Sequence, residues 1–244
     1  MMRKCVAMLC VAVLLTCFAG CAQGSGPDVA LAEFPGVKWC DTPDRVIEKL
    51  DLREEQILEN GLAIPADETT EYDVWNLVIQ DWTFLDVEVA KAHFVFVRHP
   101  GRNFGLMRVA LYFADDTDMD AVRSGMIELY GEGTTEPTPD YQFADGILVS
   151  TEADAERTED GFPLFWYATV TGTDVLSAQA VERFAEHIAN LDAAVDRTNA
   201  IAYLNAVPVV RVICTDQDNR SDLYRKTVTF DAGQMVHILQ QFEN

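Results

Sequence analysis

The sequence predicts an α+β fold, in which helices pack on one face of an antiparallel β-sheet, and it leaves a division into two subdomains open. Apolar residues make up 49% of the 244 residues and charged residues 24%, which is typical of a folded globular chain. Segments with strand-like alternation follow one another across turn-forming residues, as in antiparallel sheets. Segments with apolar residues at helical spacing stand before, between and after them.

The first helix and the strands of the amino-terminal half are indicated by local signals. Thr42-Pro43 supplies an N-cap followed by proline at the first helical position. Asp51-Leu-Arg-Glu54 has capping-box spacing and predicts a second helix that runs through Glu59 and stops at Asn60-Gly61. Strand-like segments begin at about Tyr72. Two short helices therefore precede the predicted sheet.

A hairpin and a helix come next. The residues 92–97 are β-branched and aromatic, 99–103 form a turn, and Met107–Phe113 alternates between apolar and other side chains. Asp118 caps a helix that Gly131 terminates. The Thr-, Pro- and Gly-rich stretch 131–140 is the candidate boundary between a subdomain of residues 36–131 and a second α+β subdomain of residues 141–244.

The second half repeats the mixture of strands and helices. A strand is predicted at Leu164–Thr171 and a helix at Ser177–Leu191. Val209–Cys214 and Leu223–Phe230 are predicted to pair as a hairpin. The last segment, Met235–Phe242, fits either a helix or a strand.

The first twenty residues have the features of a signal peptide. Arg3 and Lys4 form a basic start, and Cys5 to Ala19 is a run of fifteen residues in which only Thr16 is not apolar. The run falls short of the ~20 residues of a membrane-spanning helix. It matches the apolar core of a secretory signal. Residues 1–20 are therefore predicted to be a lipoprotein signal peptide.

The end of this run, Phe18-Ala19-Gly20-Cys21, resembles the lipobox of bacterial lipoproteins. The resemblance implies a diacylglyceryl group on Cys21, carrying fatty acids such as palmitate, and cleavage after Gly20. Two acyl chains suffice for stable membrane anchoring. Residues 21–35 would then be the lipidated amino terminus and tether of a protein in the cell envelope, outside the cytoplasm. A freely secreted protein and an uncleaved anchor remain as alternatives.

A second resemblance involves the region after the tether. Gly36-Val-Lys-Trp39, continuing through Val46 and Leu50, is similar to the helix start of small envelope lipoproteins of the outer-membrane assembly type and of the β-lactamase-inhibitor-like fold. The similarity covers residues 36–113. It implies two helices followed by antiparallel strands.

Two cysteines remain once the signal peptide and the lipid are accounted for, Cys40 and Cys214. An exported compartment permits a disulfide between them, and two separate buried thiols are the alternative. Their separation excludes a C-x-x-C redox or zinc motif.

The excess of acidic over basic residues limits the classes of molecule that the chain is expected to bind. Lys and Arg number 18 against 40 Asp and Glu, a net charge of −22, and loss of residues 1–20 would make it −24 because that segment holds two basic residues and no acid. Such a surface disfavours nucleic acid and electrostatic binding to anionic lipid. It favours a basic envelope protein or peptide.

The sequence contains no recognisable catalytic motif. It has no G-x-S-x-G, no Walker loop, no S-x-x-K and no H-E-x-x-H. The four histidines, His93, His99, His187 and His237, lie far apart, and the first two are predicted to share one strand face as surface residues. Neither a catalytic residue nor a cofactor is therefore assigned.

The acidic clusters do not predict a metal site. Asp116, Asp118 and Asp120 alternate as in an EF-hand, but Ala121 and Ile127 stand where calcium binding needs Gly and Glu. A helix N-cap explains this cluster better. The acids of the second cluster are interpreted as the polar tip of a hairpin: Asp216, Asp218 and Asp222.

The sequence thus predicts a membrane-tethered lipoprotein that acts as a non-catalytic binding or interaction domain. The alternative is a cell-wall or glycan-acting hydrolase that uses a pair of acids. In that alternative the tryptophans would line the cleft, whereas in the first they lie either in the core or in one exposed patch: Trp39, Trp75, Trp82 and Trp166.

Overall fold

The computed structural model describes residues 33–67, 70–137, 139–151, 161–216 and 225–243. The predicted signal peptide, the lipid-attachment residue Cys21 and most of the tether lie outside these ranges, as do Asp218 and Asp222. Among the described residues, no helix has both the length and the apolar character needed to cross a membrane.

The described ranges contain six α-helices and eleven β-strands. The helices are α1 (Pro43–Lys49), α2 (Met119–Tyr130), α3 (Gly172–Val175), α4 (Ala178–Leu191), α5 (Arg197–Ala206) and α6 (Gly233–Phe242). The strands are β1 (Ile57–Ile64), β2 (Asp73–Ile79), β3 (Trp82–Phe84), β4 (Val87–Val89), β5 (Lys91–Arg98), β6 (Gly105–Phe113), β7 (Asp140–Ala144), β8 (Ile147–Thr151), β9 (Leu164–Tyr167), β10 (Arg211–Asp216) and β11 (Lys226–Asp231).

Seven of these strands form one sheet in the order β1-β2-β5-β6-β11-β10-β9, and every neighbouring pair is antiparallel. The other four strands form two hairpins, β3–β4 and β7–β8. The predicted α+β class with an antiparallel sheet is confirmed.

One face of the sheet carries the main core. Phe94, Val109, Phe230 and Val212 stand directly opposite one another across four neighbouring strands, and all four are fully buried. Directly opposite residues of an antiparallel pair share a face. Side chains of α1 and α2 pack into the same cluster, and so does the ring of Phe34, whose centroid lies 5.0 Å from that of Phe230. The helices α1 and α2 therefore cover this face.

The opposite face is polar near its centre. Arg108 forms a salt bridge of 2.6 Å with Asp231 of the adjacent strand. On the next strand pair, the hydroxyls of Thr215 and Thr227 are hydrogen-bonded at 2.8 Å. Cross-strand pairs of this kind stabilise the sheet and leave the apolar contacts to the other side.

The predicted division into two subdomains at 131–140 is not seen. Strand β11, from the second segment, pairs with β6, from the first, over six residue pairs. Both segments therefore build one sheet and one main core. A smaller cluster does belong to the second segment alone, because α4, α5 and α6 pack around Phe184, Leu204 and Phe242.

The predicted second helix at residues 51–59 is wrong. Only a short 3₁₀ turn, Glu54–Gln56, forms before β1 begins at Ile57. The Gln56 side chain accepts from the N–H of Arg53, as a capping box requires, but its amide also donates to the carbonyl of Asp81 at 2.8 Å. This hydrogen bond attaches the 3₁₀ turn to the residue that follows β2 by two positions. The chain after the turn then pairs with β2 as strand β1 instead of continuing as a helix. Within residues 33–56 one α-helix, not two, precedes β1, so this described part of the chain lacks the two-helix opening that the second resemblance implied.

The N-cap predicted at Asp118 is confirmed. The side chain of Asp118 accepts a hydrogen bond of 3.0 Å from the N–H of Asp120 at the start of α2. This hydrogen bond agrees with the interpretation of the acidic cluster as a helix N-cap. At the other end of the chain, Asp231 accepts from the N–H of Gly233 at 2.8 Å, and the final segment is a helix.

The structure does not join Cys40 to Cys214, since both are free thiols. The N–H of Cys40 donates to the carbonyl of Leu106, at the start of β6. Cys214 stands opposite Val228, which stands opposite Leu111. The five residues from Leu106 to Leu111 span roughly 17 Å, and a disulfide needs Cα atoms within about 7 Å. The disulfide allowed by the cysteine count is therefore replaced by two separate thiols.

Alkylation should distinguish these two thiols. Cys40 is exposed, but burial of its thiol, and then Asp41, raise its pKa to about 11, so we expect it to react slowly in the native protein. The buried Cys214 should react only after denaturation. Mass spectrometry of the two peptides, with and without denaturant, measures this, and a Cys40→Ser variant is the control. A disulfide-linked Cys40–Cys214 peptide in non-reducing digests would contradict the structure.

Candidate functional site

Two histidines from distant parts of the chain form a hydrogen-bonded pair. His99 lies just after β5 and His237 lies on α6, and Nε2 of the first is 2.8 Å from Nδ1 of the second. The ring of Tyr72 packs on both, with centroids 5.3 Å from His99 and 4.5 Å from His237. Because His99 is buried, water cannot readily compete for the shared proton.

The position of the pair is fixed by bonds between α6 and the turn after β5. The N–H of His99 donates to Oε1 of Gln240 at 2.9 Å, and the amide of Gln240 donates to the carbonyl of Val97 at 3.0 Å. Arg102 donates from Nε to the carbonyl of Gln240 at 2.8 Å and from Nη2 to that of Glu243. This cation stabilises the end of the helix, where carbonyls lack intrahelical partners.

Burial keeps the pair neutral. Burial and then the neighbouring His99 lower the pKa of His237 to about 4, against the opposing effect of Asp231. The pKa of His99 is also lowered, mainly by burial and then by Arg102, against the opposing effect of Glu71. At pH 7 the two imidazoles therefore share one proton in the gap between them.

His99 lines an open groove of about 700 Å³. Two carboxylates, Asp67 and Glu71, stand on its wall. The guanidinium of Arg102 also lines it but is bonded to the carbonyls at the end of α6. The remaining lining residues are mixed in character: Ala66, Pro100, His187, Gln240, Gln241 and Phe242.

His237 lines a second cavity, an aromatic cleft of about 420 Å³ between the β7–β8 hairpin and the three helices α4, α5 and α6. Its other lining residues are Tyr141, Gln142, Phe143, Phe184, Ile188, Tyr203, Gln234 and Ile238. None of these described residues carries a charge at neutral pH. The histidine pair thus forms part of the wall between the groove and the cleft.

His93 and His99, which the sequence predicts on one strand face, do not share a face. His99 instead pairs with His237. A register shift between Val95 and Phe96 breaks the alternation along β5, and His99 lies beyond the end of that strand. His93 stays in the sheet, where Nε2 is buried without a hydrogen-bond partner. The prediction that His93 and His99 are surface residues on one face is wrong. His187 lines the groove and packs on Phe242.

The tryptophans lie away from the groove and the cleft. Trp166 is buried and donates from its indole to the carbonyl of Gly131 at 2.8 Å, and Trp82 packs against Phe34. The four tryptophans all lie in the described ranges, and none lines the groove or the cleft. Within these ranges no three His, Cys, Asp or Glu side chains come together as a metal site.

Sequence patterns could not have indicated this site. His99 and His237 are 138 residues apart, and the Tyr72 ring that packs on them belongs to neither segment. The only local signal is the turn-forming Pro100-Gly101 beside His99.

Comparison with known proteins finds no matching family model, no matching curated protein and no matching solved structure.

Proposed function

We propose that this chain is a lipid-anchored, non-catalytic binding domain of a bacterial cell envelope and that its groove holds a basic segment of a partner protein or peptide. The observation that carries the proposal is the charge arrangement in the groove. Glu71 presents a carboxylate to the groove, and Asp67, which accepts a hydrogen bond of 2.8 Å from the N–H of Thr70, adds a second negative charge. Arg102, a cation among the described lining residues, is bonded to backbone carbonyls. A lysine or arginine side chain of a partner would complement these acids.

The net charge of the whole chain also favours a basic partner. A net charge of −22 gives long-range attraction toward a basic partner and accelerates association at low salt. The groove is open to solvent, which suits a chain segment better than a small substrate that has to be enclosed.

We propose the lipid anchor because the residues that end at Cys21 resemble a lipobox. An anchor would hold the domain at the membrane surface, where tethering raises its effective concentration near other envelope proteins. The alternative of a hydrolase with an acid pair has less support. The groove supplies two carboxylates, but both come from one short segment, and the tryptophans are elsewhere.

Replacing Cys21 by alanine should release the protein from the membrane fraction, because the thioether to the diacylglyceryl group cannot form. Cell fractionation and the mass of the amino-terminal peptide measure the outcome. Cys17→Ala, in the predicted signal peptide, is the matched control and should leave lipidation intact. Unchanged membrane retention and an unmodified amino-terminal mass in the parent protein would contradict the anchor.

Binding of a lysine-rich peptide tests the groove. We expect saturable binding that weakens steeply as salt is added, because the Debye length falls from about 30 Å at 0.01 M to about 3 Å at 1 M ionic strength. Titration calorimetry at low and high ionic strength measures this, with a glutamate-rich peptide as the control. Equal affinity for both peptides would contradict the proposal.

A further inference from the structure

The aromatic cleft has the features of a second ligand site, separate from the groove. Its volume of about 420 Å³ is within the range of roughly 300–1,000 Å³ that is common for small-molecule sites. Its rings are arranged around Tyr203, with the Phe143 centroid at 5.7 Å and a stacked Phe184 at 6.3 Å. Such a lining favours a flat aromatic body that can pack against several rings.

The β7–β8 hairpin covers the cleft, and its turn is packed closely against the helical part of the structure. Gly146 adopts φ +79°, which favours glycine, and a Cβ at this position would collide with the carbonyl of Ala194. The β7–β8 hairpin is therefore seated directly on the loop between α4 and α5. The cleft beneath it exists before any ligand enters.

Tyr203 and His237 each offer a hydrogen-bond donor on the lining. The amide of Gln234 donates to the hydroxyl oxygen of Tyr203, so the proton of that hydroxyl remains available for another acceptor. The amide Nε2 of Gln241 lies 3.5 Å from Nδ1 of His99 and acts as its donor. His99 then carries its proton on Nε2 and donates to Nδ1 of His237. This tautomer leaves His237 with a proton on Nε2, on the side of the ring away from His99.

The absence of charge on the described lining residues decides between ligand classes. An anion would lose its hydration in the cleft without meeting a cation, and the net charge of −22 would oppose its approach. A cation would meet hydrogen-bond donors and no carboxylate among the described lining residues. A neutral carbonyl oxygen can accept both hydrogen bonds at no such cost.

We infer that the cleft binds a small, neutral, planar aromatic molecule whose carbonyl oxygen accepts hydrogen bonds from Tyr203 and His237. The aromatic body lies among Phe143, Phe184 and Ile188. This inference does not depend on the lipid anchor or on the groove, since neither Tyr203 nor Phe143 lines the groove.

The test uses the full chain with Cys21→Ala and three naphthalene probes of similar size, with binding followed by equilibrium dialysis and ultraviolet absorbance. Acetylnaphthalene carries a neutral carbonyl, naphthalene lacks the acceptor, and naphthoate is an anion. We expect saturable binding of acetylnaphthalene, about tenfold tighter than that of naphthalene, as one or two net hydrogen bonds imply. Naphthoate should bind more weakly than acetylnaphthalene.

Variants locate the site. Tyr203→Phe keeps the ring and removes the hydroxyl, and His237→Asn keeps an acceptor for His99 but loses the Nε2 donor. Each should weaken acetylnaphthalene binding about fivefold and leave naphthalene binding unchanged. His187→Asn, in the groove, is the matched control and should change neither. The inference is overturned if wild type shows no saturable binding, if naphthalene binds as tightly as the ketone, or if His187→Asn has the same effect as His237→Asn.

Discussion

Replacing Phe230 by alanine should lower the free energy of unfolding by about 4 kcal/mol, the typical cost of removing a buried phenylalanine. Phe230 is fully buried on β11, and its ring contacts three others, with centroid distances of 5.0 Å to Phe34, 6.0 Å to Phe84 and 5.9 Å to Tyr130. The strand β11 also joins the two halves of the sheet. The loss should therefore weaken the whole domain in one cooperative transition.

Urea denaturation followed by tryptophan fluorescence and by circular dichroism measures this loss. Leu191→Ala is the control, because this large apolar side chain is 71% exposed and its removal should change stability by less than about 0.5 kcal/mol. Two separate transitions, with only one of them shifted by Phe230→Ala, would contradict a single shared core.

The histidine pair should make the domain less stable in acid. Burial lowers the pKa of His237 to about 4, below its value of about 6.5 in an unfolded chain. The unfolded state therefore binds a proton that the native state excludes, and stability is complete above pH 6.5 and falls as the pH drops toward 4. The facing groups are His99 and Asp231, and Glu71 and Arg102 face His99. Between pH 7.5 and pH 5 we expect a loss of about 1–2 kcal/mol from His237.

The contribution of His237 to the pH dependence of stability can be isolated by comparing variants. In His237→Asn the difference in unfolding free energy between pH 7.5 and pH 5 should shrink by that amount. His187→Gln, in which the pair is intact, should keep the wild-type difference. A His237→Asn variant with the same pH dependence as wild type would show that the pair does not exclude the proton.

Much of the fold could be predicted because its signals are local. The caps at Thr42, Asp118 and Ser177 each accept a backbone hydrogen bond at the helix start, as their sequences indicate. The alternation over Met107–Phe113 corresponds to the strand β6. These features depend on neighbours within four residues, so one sequence suffices to predict them.

The parts that failed depend on contacts between distant segments. The capping-box pattern at residues 51–54 was overridden by pairing between β1 and β2, which decides the structure of residues 57–64. The separation into subdomains failed because β11 crosses back to β6. The histidine pair arises only when α6 packs against the turn after β5, and no spacing in the sequence encodes that contact.

The most direct test of the proposed binding groove is the affinity of two isosteric variants for the same lysine-rich peptide at low ionic strength. Glu71→Gln removes a carboxylate from the groove, and Glu128→Gln removes an exposed one from α2. Both variants change the net charge equally. The proposal predicts about fivefold weaker binding for Glu71→Gln, as the loss of an exposed ion pair worth up to about 1 kcal/mol implies, and wild-type affinity for Glu128→Gln. Equal affinities of the two variants would contradict a binding site in the groove.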